Sequence, residues 1–468
     1  MGRRDKGFEP LFRKMQDENL PQLVIDHFKH YYDQLVAGQT GNLPETEIEP
    51  IETLPEMEKL GTDQRVAAGE RAMHRAAIIK LNGGLGTSMG MQKAKSLLQV
   101  KNGLSFLDII VRQALALDAE PPVIFMNSFS TQDDTRKALS GYSHLKRQPV
   151  PLDFLQHKIP KVSARDLGPM HHADNPHLEW CPPGHGDLYP ALLSSGMLDR
   201  LLKAGYAYAF VSNADNLGAV LDPAILGYFV ESGLSFMMEA ADRTDADKKG
   251  GHLARMKSGG LVLREIAQTP EADVRTFQDI RRHKFFNTNN VWIHLPALKK
   301  ILARKKGILG LPMIRNRKTL DPRDPDSLPV YQLETAVGAA ISVFDKVGAI
   351  RVPRRRFIPV KSTNDLLALR SDHYVLTSRY RLVPNPKRKT DRRVQIRLDP
   401  AYYKSIDQFE YRFPCGAPSL LECESLTIDG DIRFGNDVRL KGGVELLNEN
   451  DGTYDMEPHR SLEGTLRV

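Results

Sequence analysis

Residues 419–468 carry a repeat that few architectures accommodate. Leu426, Ile432, Val438 and Val444 stand six residues apart, and so do Ile428, Phe434, Leu440 and Leu446. A helix calls for apolar residues every three to four positions, and a half-buried strand only for alternation. Two interleaved apolar series of period six mark a parallel β-helix, in which each coil stacks its inward residue on the one below. Gly430, Gly435, Gly442 and Gly443 suit the turns of such a stack. A plain β-meander is the simpler alternative. A coil stack of this size reads as an oligomerisation or docking module, not a catalytic one.

A different pattern runs from about Ala76 to about residue 370. Short apolar runs, Ala76–Leu81, Pro122–Met126 and Tyr206–Val211, alternate with longer periodic stretches, Phe106–Leu117 and Leu188–Leu202. Strands alternating with helices predict parallel βαβ units in a sheet covered on both faces. Ahead of this region, Phe8, Leu11, Phe12 and Met15, then Leu23, Phe28, Tyr31, Tyr32 and Leu35, have the spacing of one or two amphipathic helices. Residues 43–58 hold six Glu and three Pro and read as an extended acidic linker crossing the surface. The division that follows is a helical segment with linker over 1–70, an α/β domain over 71–375, a connecting segment over 376–418 and the coil stack over 419–468.

Composition narrows the function classes. The chain has 468 residues, 41% hydrophobic and 26% charged, which excludes a collagen-like or wholly disordered protein. No apolar run approaches the ~20 residues that span a bilayer, so no membrane partner is expected. The amino-terminal residues lack the apolar core of a secretory signal. Cys181, Cys415 and Cys423 have no CxxC spacing, which speaks against a disulfide framework or zinc site and for a reducing, cytoplasmic compartment. Lys and Arg number 65 against 58 Asp and Glu, an excess that suits anionic substrates as well as nucleic acid. The basic runs Arg281–Lys284, Arg354–Arg356 and Lys387–Arg393 are short, scattered and without interleaved aromatics. They read as solvated loops, and no nucleic-acid partner is expected.

The stretch richest in chemistry is Lys80-Leu-Asn-Gly-Gly-Leu-Gly-Thr-Ser-Met-Gly-Met-Gln-Lys-Ala-Lys-Ser-Leu98. It follows a predicted strand, and glycines let backbone N–H groups approach and face phosphates. No glycine is followed by Lys-Ser or Lys-Thr at the Walker A spacing. Counted from Gly84, the dinucleotide fingerprint requires glycine where Met89 stands. The loop therefore cradles phosphate in some third way, or is a turn with no ligand.

Leu81-Asn-Gly-Gly-Leu-Gly-Thr-Ser-Met-Gly90 closely resembles the nucleotide-binding loop of the eukaryotic-type UTP–glucose-1-phosphate uridylyltransferases, the UDP-glucose pyrophosphorylase family. So do Val123–Phe129, Pro182–Asp187, Phe210–Gly218, Phe286–Trp292, Gln332–Ala340 and Arg356–Thr363, in the same order over about residues 75–465. The resemblance implies an α/β nucleotide-diphospho-sugar transferase domain, Rossmann-like with a mostly parallel mixed sheet, followed by a left-handed parallel β-helix. It implies a reaction that joins UTP and glucose 1-phosphate into UDP-glucose and pyrophosphate, with Mg²⁺ as cofactor. Such chemistry asks for positioning and positive charge, not a covalent nucleophile.

Carried over residue by residue, the resemblance makes Lys361 and Lys95 the catalytic, phosphate-binding lysines. It gives Leu81, Asn82, Gly83, Gly84, Gln156 and Gly184 to the nucleotide, with Gln156 reading the uracil edge. Asn213, Ala214, Glu265 and Asn289 fall to the sugar, with Gly83, Gly84 and His185 near its phosphate. Asp215, at the carboxyl end of a predicted parallel strand, becomes the Mg²⁺ ligand. Taken alone, Asp215 has a helix N-cap as its alternative, while a lone lysine reads first as a solvated charge and Gln156 first as a surface amide. The family commonly has proline where Ala94 stands, so a looser turn before Lys95 is expected. Asn82 and Leu85 match the glucose branch, not the Ala/Gln pattern of the acetylamino-sugar branch. Rival readings are the same chemistry on galactose or N-acetylglucosamine 1-phosphate, and an inactive scaffold or nucleic-acid-binding relative. A homo-oligomer assembled through the coil stack is a further expectation.

Overall fold

The computed structural model describes residues 3–390 and 392–468. Its central sheet is built on β1 (Ala76–Asn82), β2 (Val123–Asn127), β3 (Asp153–Leu155), β4 (Tyr208–Asn213), β5 (Phe236–Asp242), β6 (Phe285–His294) and β7 (Val347–Arg351). The order across the sheet is β3-β2-β1-β4-β6-β5-β7. β3, β2, β1 and β4 are parallel, β6 is antiparallel to β4 and β5, and β5 is parallel to β7. Every residue of β1 and β2 is buried, as both faces of a covered parallel sheet require. One face packs Phe106, Ile109, Phe125, Phe210 and Trp292, and the other Ile79, Ile124, Tyr189, Leu192 and Val211.

This topology places the site. The loops after β1, β2, β3 and β4 all leave at one edge, where ligands bind in open α/β sheets. β6 runs the other way, and its register with β4 ends at Val291 opposite Val211. Asn287–Asn290 therefore lie beside the carboxyl end of β4. The helix predicted over Leu188–Leu202 is two helices, Leu188–Ser194 and Met197–Lys203, separated by Gly196 at φ +71°. A left-handed residue cannot continue an α-helix.

The amino-terminal helices, Arg3–Asp17 and Gln22–Val36, share a core with Trp180 and Leu333. The acidic stretch is less a crossing linker than an edge strand. Ile48–Pro50 pairs antiparallel with His252–Met256, and Ile48 packs on Ala254 and Val262. Glu45 reaches Arg264 at 2.6 Å and Arg282 at 2.7 Å, so its charge is compensated where it leaves water.

In the carboxyl-terminal stack, β8 (Gln395–Leu398), β9 (Ser419–Asp429), β10 (Arg439–Leu447) and β11 (Ser461–Arg467) pair in parallel, which excludes a meander. Leu426 pairs with Val444 and Ile428 with Leu446, an offset of three six-residue steps, so each coil turns through three sides. All eight period-six residues are buried. This core continues past its expected start. Phe413 stacks on Phe434 with ring centroids 4.8 Å apart, Tyr403 Oη donates to Ile432 O at 2.5 Å, and Arg412 pairs with Asp431 at 2.8 Å. Helices Pro400–Tyr403 and Ile406–Arg412 thus pack onto the stack as part of it.

Candidate active site

The glycine loop leaves β1 and is held by short-range geometry. Gly86 has φ +71°, and a Cβ there would meet Met91 Sδ at 2.9 Å and Lys95 Cγ at 3.3 Å. Lys95 N donates to Gly84 O at 3.1 Å. Ala94 N donates to Asp134 Oδ2 at 3.2 Å, a bond that proline cannot make. The turn before Lys95 is therefore pinned by that bond instead of loosened.

Gly83 owes its identity to Gln156. A Cβ on Gly83 would fall 2.7 Å from Gln156 Oε1. Gln156 N donates to Asn127 O at 2.7 Å, and Nε2 donates to Gly184 O at 2.9 Å. Gly184 and Gly186 lie so close to Thr335 that a Cβ would meet its O at 2.5 Å and its Oγ1 at 2.4 Å. Gly83, Gln156 and Gly184 are thus brought into one wall. Asn82 and Leu81 lie behind it. Asn82 Nδ2 donates to Asn127 Oδ1 at 2.8 Å and Thr135 Oγ1 at 2.9 Å, and Leu81 packs into the core. The Asn82 amide supports the loop from inside.

Lys95 and the segment that carries Lys361 both touch Asp215. Lys95 Nζ lies 2.6 Å from Asp215 Oδ2, with both side chains partly buried. Asp215 Oδ1 is buried without a hydrogen-bond partner among the described residues. A buried carboxylate oxygen left unpaired costs roughly 1–3 kcal/mol, and a hard cation is the partner such an oxygen suits. No cluster of three or more His, Cys, Asp or Glu suited to a metal occurs among the described residues. A Mg²⁺ ion here would lean on one carboxylate and on phosphate oxygens, the donor set Mg²⁺ prefers. Val360 N donates to Asp215 O at 3.3 Å, and Ser88 Oγ donates to Lys361 O at 3.4 Å. These bonds bring the exposed Lys361 beside both Asp215 and the glycine loop.

The sugar-side candidates line the same edge. Asn213 ends β4, and Ala214 N donates to Leu81 O at 3.0 Å. Asn289 sits at φ +59° in β6, a left-handed conformation that asparagine tolerates better than most residues. Its Oδ1 accepts from Asn287 Nδ2 at 2.8 Å. Glu265 follows the strand Leu261–Arg264, and Gly251 leaves room for its carboxylate, which a Cβ would meet at 2.4 Å. Burial pushes the Glu265 carboxyl up to about 7, and the charge of Lys361 draws it back down. His185 Nδ1 accepts from Val337 N at 2.8 Å, so the ring proton sits on Nε2. Burial holds this imidazole down to about 4, a neutral donor at ordinary pH.

Beneath the site lies a network that sequence reasoning missed. Arg356 grips Glu239 with two bonds, Nε to Oε2 at 2.8 Å and Nη2 to Oε1 at 2.6 Å. Trp292 Nε1 and Asn290 Nδ2 each donate to the same carboxylate at 3.0 Å. Asn216 Nδ2 donates to Arg356 O at 3.1 Å, and Asn216 Oδ1 accepts from Ile358 N at 2.9 Å. One buried carboxylate thereby ties together the neighbours of Asn289, Asp215 and Lys361. Asn216, Asn290, Trp292 and Arg356 fall within stretches that resemble the family, but Glu239, which joins them, does not.

The family described as UTP–glucose-1-phosphate uridylyltransferase matches residues 25–441. The chain is 41% identical to the UTP–glucose-1-phosphate uridylyltransferase of Solanum tuberosum over 81% of this chain and 78% of that protein. It is 40% identical to a probable UTP–glucose-1-phosphate uridylyltransferase of Schizosaccharomyces pombe over 84% of this chain and 76% of the relative. Its fold superposes with a TM-score of 0.90 on the crystal structure of a UDP-glucose phosphorylase from Trypanosoma brucei, at 43% identity over 99% of this chain and 100% of that one. The TM-score is also 0.90 against a variant UDP-glucose pyrophosphorylase of Leishmania major in complex with UDP-glucose, at 39% identity over 99% of each chain.

Proposed function

The chain belongs to the UTP–glucose-1-phosphate uridylyltransferase family, and from that membership we propose that it joins UTP and glucose 1-phosphate into UDP-glucose and pyrophosphate. An oxygen of the sugar phosphate attacks the α-phosphorus of UTP in line. The new P–O bond forms as the bond to the β-phosphate oxygen breaks, and pyrophosphate leaves with the electron pair. The protein's task is to align the two phosphates and to offset charge on the transferring group.

The observation that carries this reading is the Lys95–Asp215 contact beside the exposed Lys361, at the carboxyl edge of the parallel strands. Lys95 faces the phosphates from the glycine loop, and Lys361 approaches from the opposite segment. Each cation contributes roughly 3 kcal/mol to the transition state, by the usual effect of deleting one such donor. Asp215 would hold Mg²⁺ through its unpaired Oδ1, and bound Mg²⁺ supplies positive charge to the phosphate oxygens. Gln156 offers its remaining N–H and its carbonyl to the uracil edge. His185 donates Nε2–H to the sugar phosphate, while Asn213, Glu265 and Asn289 receive the glucose hydroxyls.

A cytoplasmic setting fits the three unpaired cysteines. Among the described residues, no helix is long and apolar enough to cross a membrane. Self-association through the open edge of β11 is part of the same proposal, because among the described residues that strand pairs with β10 alone. The enzymatic reading is tested by pyrophosphate release from UTP with glucose, galactose and N-acetylglucosamine 1-phosphates in turn. Release favouring glucose 1-phosphate supports it, and none with any of the three refutes it.

A further inference from the structure

Two of the basic runs that read as scattered surface loops are not scattered in space. Arg354 and, from the last run, Arg388, Arg392 and Arg393 line one cavity of about 1120 Å³ between the α/β domain and the coil stack. The cavity is large enough for an organic ligand, since small-molecule sites usually occupy ~300–1,000 Å³. Ile358, Tyr374 and Val394, all buried, supply an apolar wall. The cavity does not include Lys95, Asp215 or Glu265.

The polar lining is rich in cations without acidic partners. Among the described residues, no carboxylate pairs with Arg388, Arg392 or Arg393. Arg393 Nη2 donates to Phe357 O at 2.9 Å, and Arg388 donates to the backbone carbonyls of Leu420, Leu421, Cys423 and Arg392. Arg388 Nε is buried and without a partner among the described residues. His373, 3% exposed and also in the lining, has Nδ1 buried and unpartnered. The acids of the same lining are largely committed elsewhere. Asp365 accepts from the N–H groups of Lys361 and Ser362, and Asp245 pairs with Lys248 at 2.8 Å. Arg354 is offset by Asp247 at 2.9 Å, and Glu424 lines the cavity from the coil side.

We propose that this cavity is a second, non-catalytic site for a phosphorylated metabolite, an organic anion of nucleotide or sugar-phosphate size. Arginine's planar fork matches phosphate oxygens in pairs. The apolar wall accounts for an organic body, which free phosphate lacks. Ile358, Pro359, Asn364 and Asp365 line the cavity and flank Lys361 in the chain, so an occupant shares a wall with that segment.

The test uses the full chain with the active site filled by saturating UDP-glucose, whose binding is first measured alone. Failure of that first titration bears on the proposed function and leaves the cavity untouched. Glucose 6-phosphate, AMP and orthophosphate are then titrated calorimetrically against the native protein, Arg392→Glu and Arg393→Ala. The expected result is binding of glucose 6-phosphate or AMP below about a millimolar, weakened at least about tenfold in each variant. Arg392 is exposed, so its replacement leaves folding intact. Binding of orthophosphate alone, equal affinity in the native protein and both variants, or no binding of any of the three overturns the proposal.

Discussion

Lys95 and Asp215 hold each other at the edge of the sheet: Nζ stands 2.6 Å from Oδ2, while Oδ1 of the same carboxylate is buried with no partner among the described residues. The pair joins the glycine loop to the end of β4. It keeps one cation and one half-satisfied anion where phosphates would arrive.

Replacing Asp215 with Asn should therefore reduce Mg²⁺-dependent turnover by at least about a hundredfold, the scale of removing one charged contact to the reacting group. The fold should survive, because the Val360 N–Asp215 O bond is made by backbone. Turnover against Mg²⁺ concentration, with a melting curve beside it, decides the matter. Ordinary activity at ordinary Mg²⁺, or an unfolded variant, would take Asp215 out of the metal site and leave it a structural residue.

Lys361→Ala should lower kcat by about a hundredfold or more and leave UTP affinity nearly unchanged. Its side chain is exposed, so the loss would not come from misfolding. Equilibrium binding of UTP alongside single-turnover rates separates the two effects. Collapsed affinity with normal turnover of bound substrate would remove Lys361 from the chemistry.

Glu265 sets a pH dependence. Burial raises its carboxyl to about 7, so the ionised acceptor is the minor form at pH 6 and the major form at pH 8. If it accepts from glucose hydroxyls, KM for glucose 1-phosphate should fall as pH rises across that window. Glu265→Gln should have a higher KM that no longer changes there. A pH trend retained in the Gln variant would assign the titration to another group.

Breaking the buried Arg356–Glu239 pair from one side should cost about 3–5 kcal/mol, since a charge is left unpaired. Urea unfolding of Glu239→Gln and Arg356→Met measures this. Removing both charges in Glu239→Gln/Arg356→Met should cost less than the two single losses added. Strictly additive losses would show that the two side chains do not act as a pair.

The coil stack gives a two-part expectation. Deleting residues 419–468 would strip Phe413 and Tyr403 of their cover and should leave an unstable protein. Deleting only Ser461–Val468 should leave a folded chain that sediments as a smaller species, if β11 is the contact between copies. Unchanged sedimentation would take that role from β11.

Local signals were legible and distant ones were not. The glycine loop, the strand ending before Asp215 and the period-six series each lie within a few dozen residues, so spacing alone exposes them. Glu239, Trp292 and Arg356 are far apart in the chain, and each reads singly as an ordinary charged or aromatic residue. Their meeting depends on β6 lying between β4 and β5, which no local pattern announces. Thr335 lies in the family-like stretch Gln332–Ala340, but its close fit to Gly184 and Gly186, from a segment far along the chain, is hidden for the same reason. Glu45 read as linker because acidic, proline-rich stretches usually are, while its partners Arg264 and Arg282 lie on another element. The period-six pattern placed the coil's interior correctly but not its limit, since Tyr403 and Phe413 enter that core from helices outside the repeat.

The central claim is which bond breaks. UTP labelled at its α-phosphorus, and separately at its γ-phosphorus, can be supplied with glucose 1-phosphate and Mg²⁺ and the products separated. The account predicts the α label in UDP-glucose and the γ label in pyrophosphate, with both transfers strongly reduced in Lys361→Ala. Transfer of the γ label to the sugar, or no UDP-glucose from the folded native protein, would contradict it.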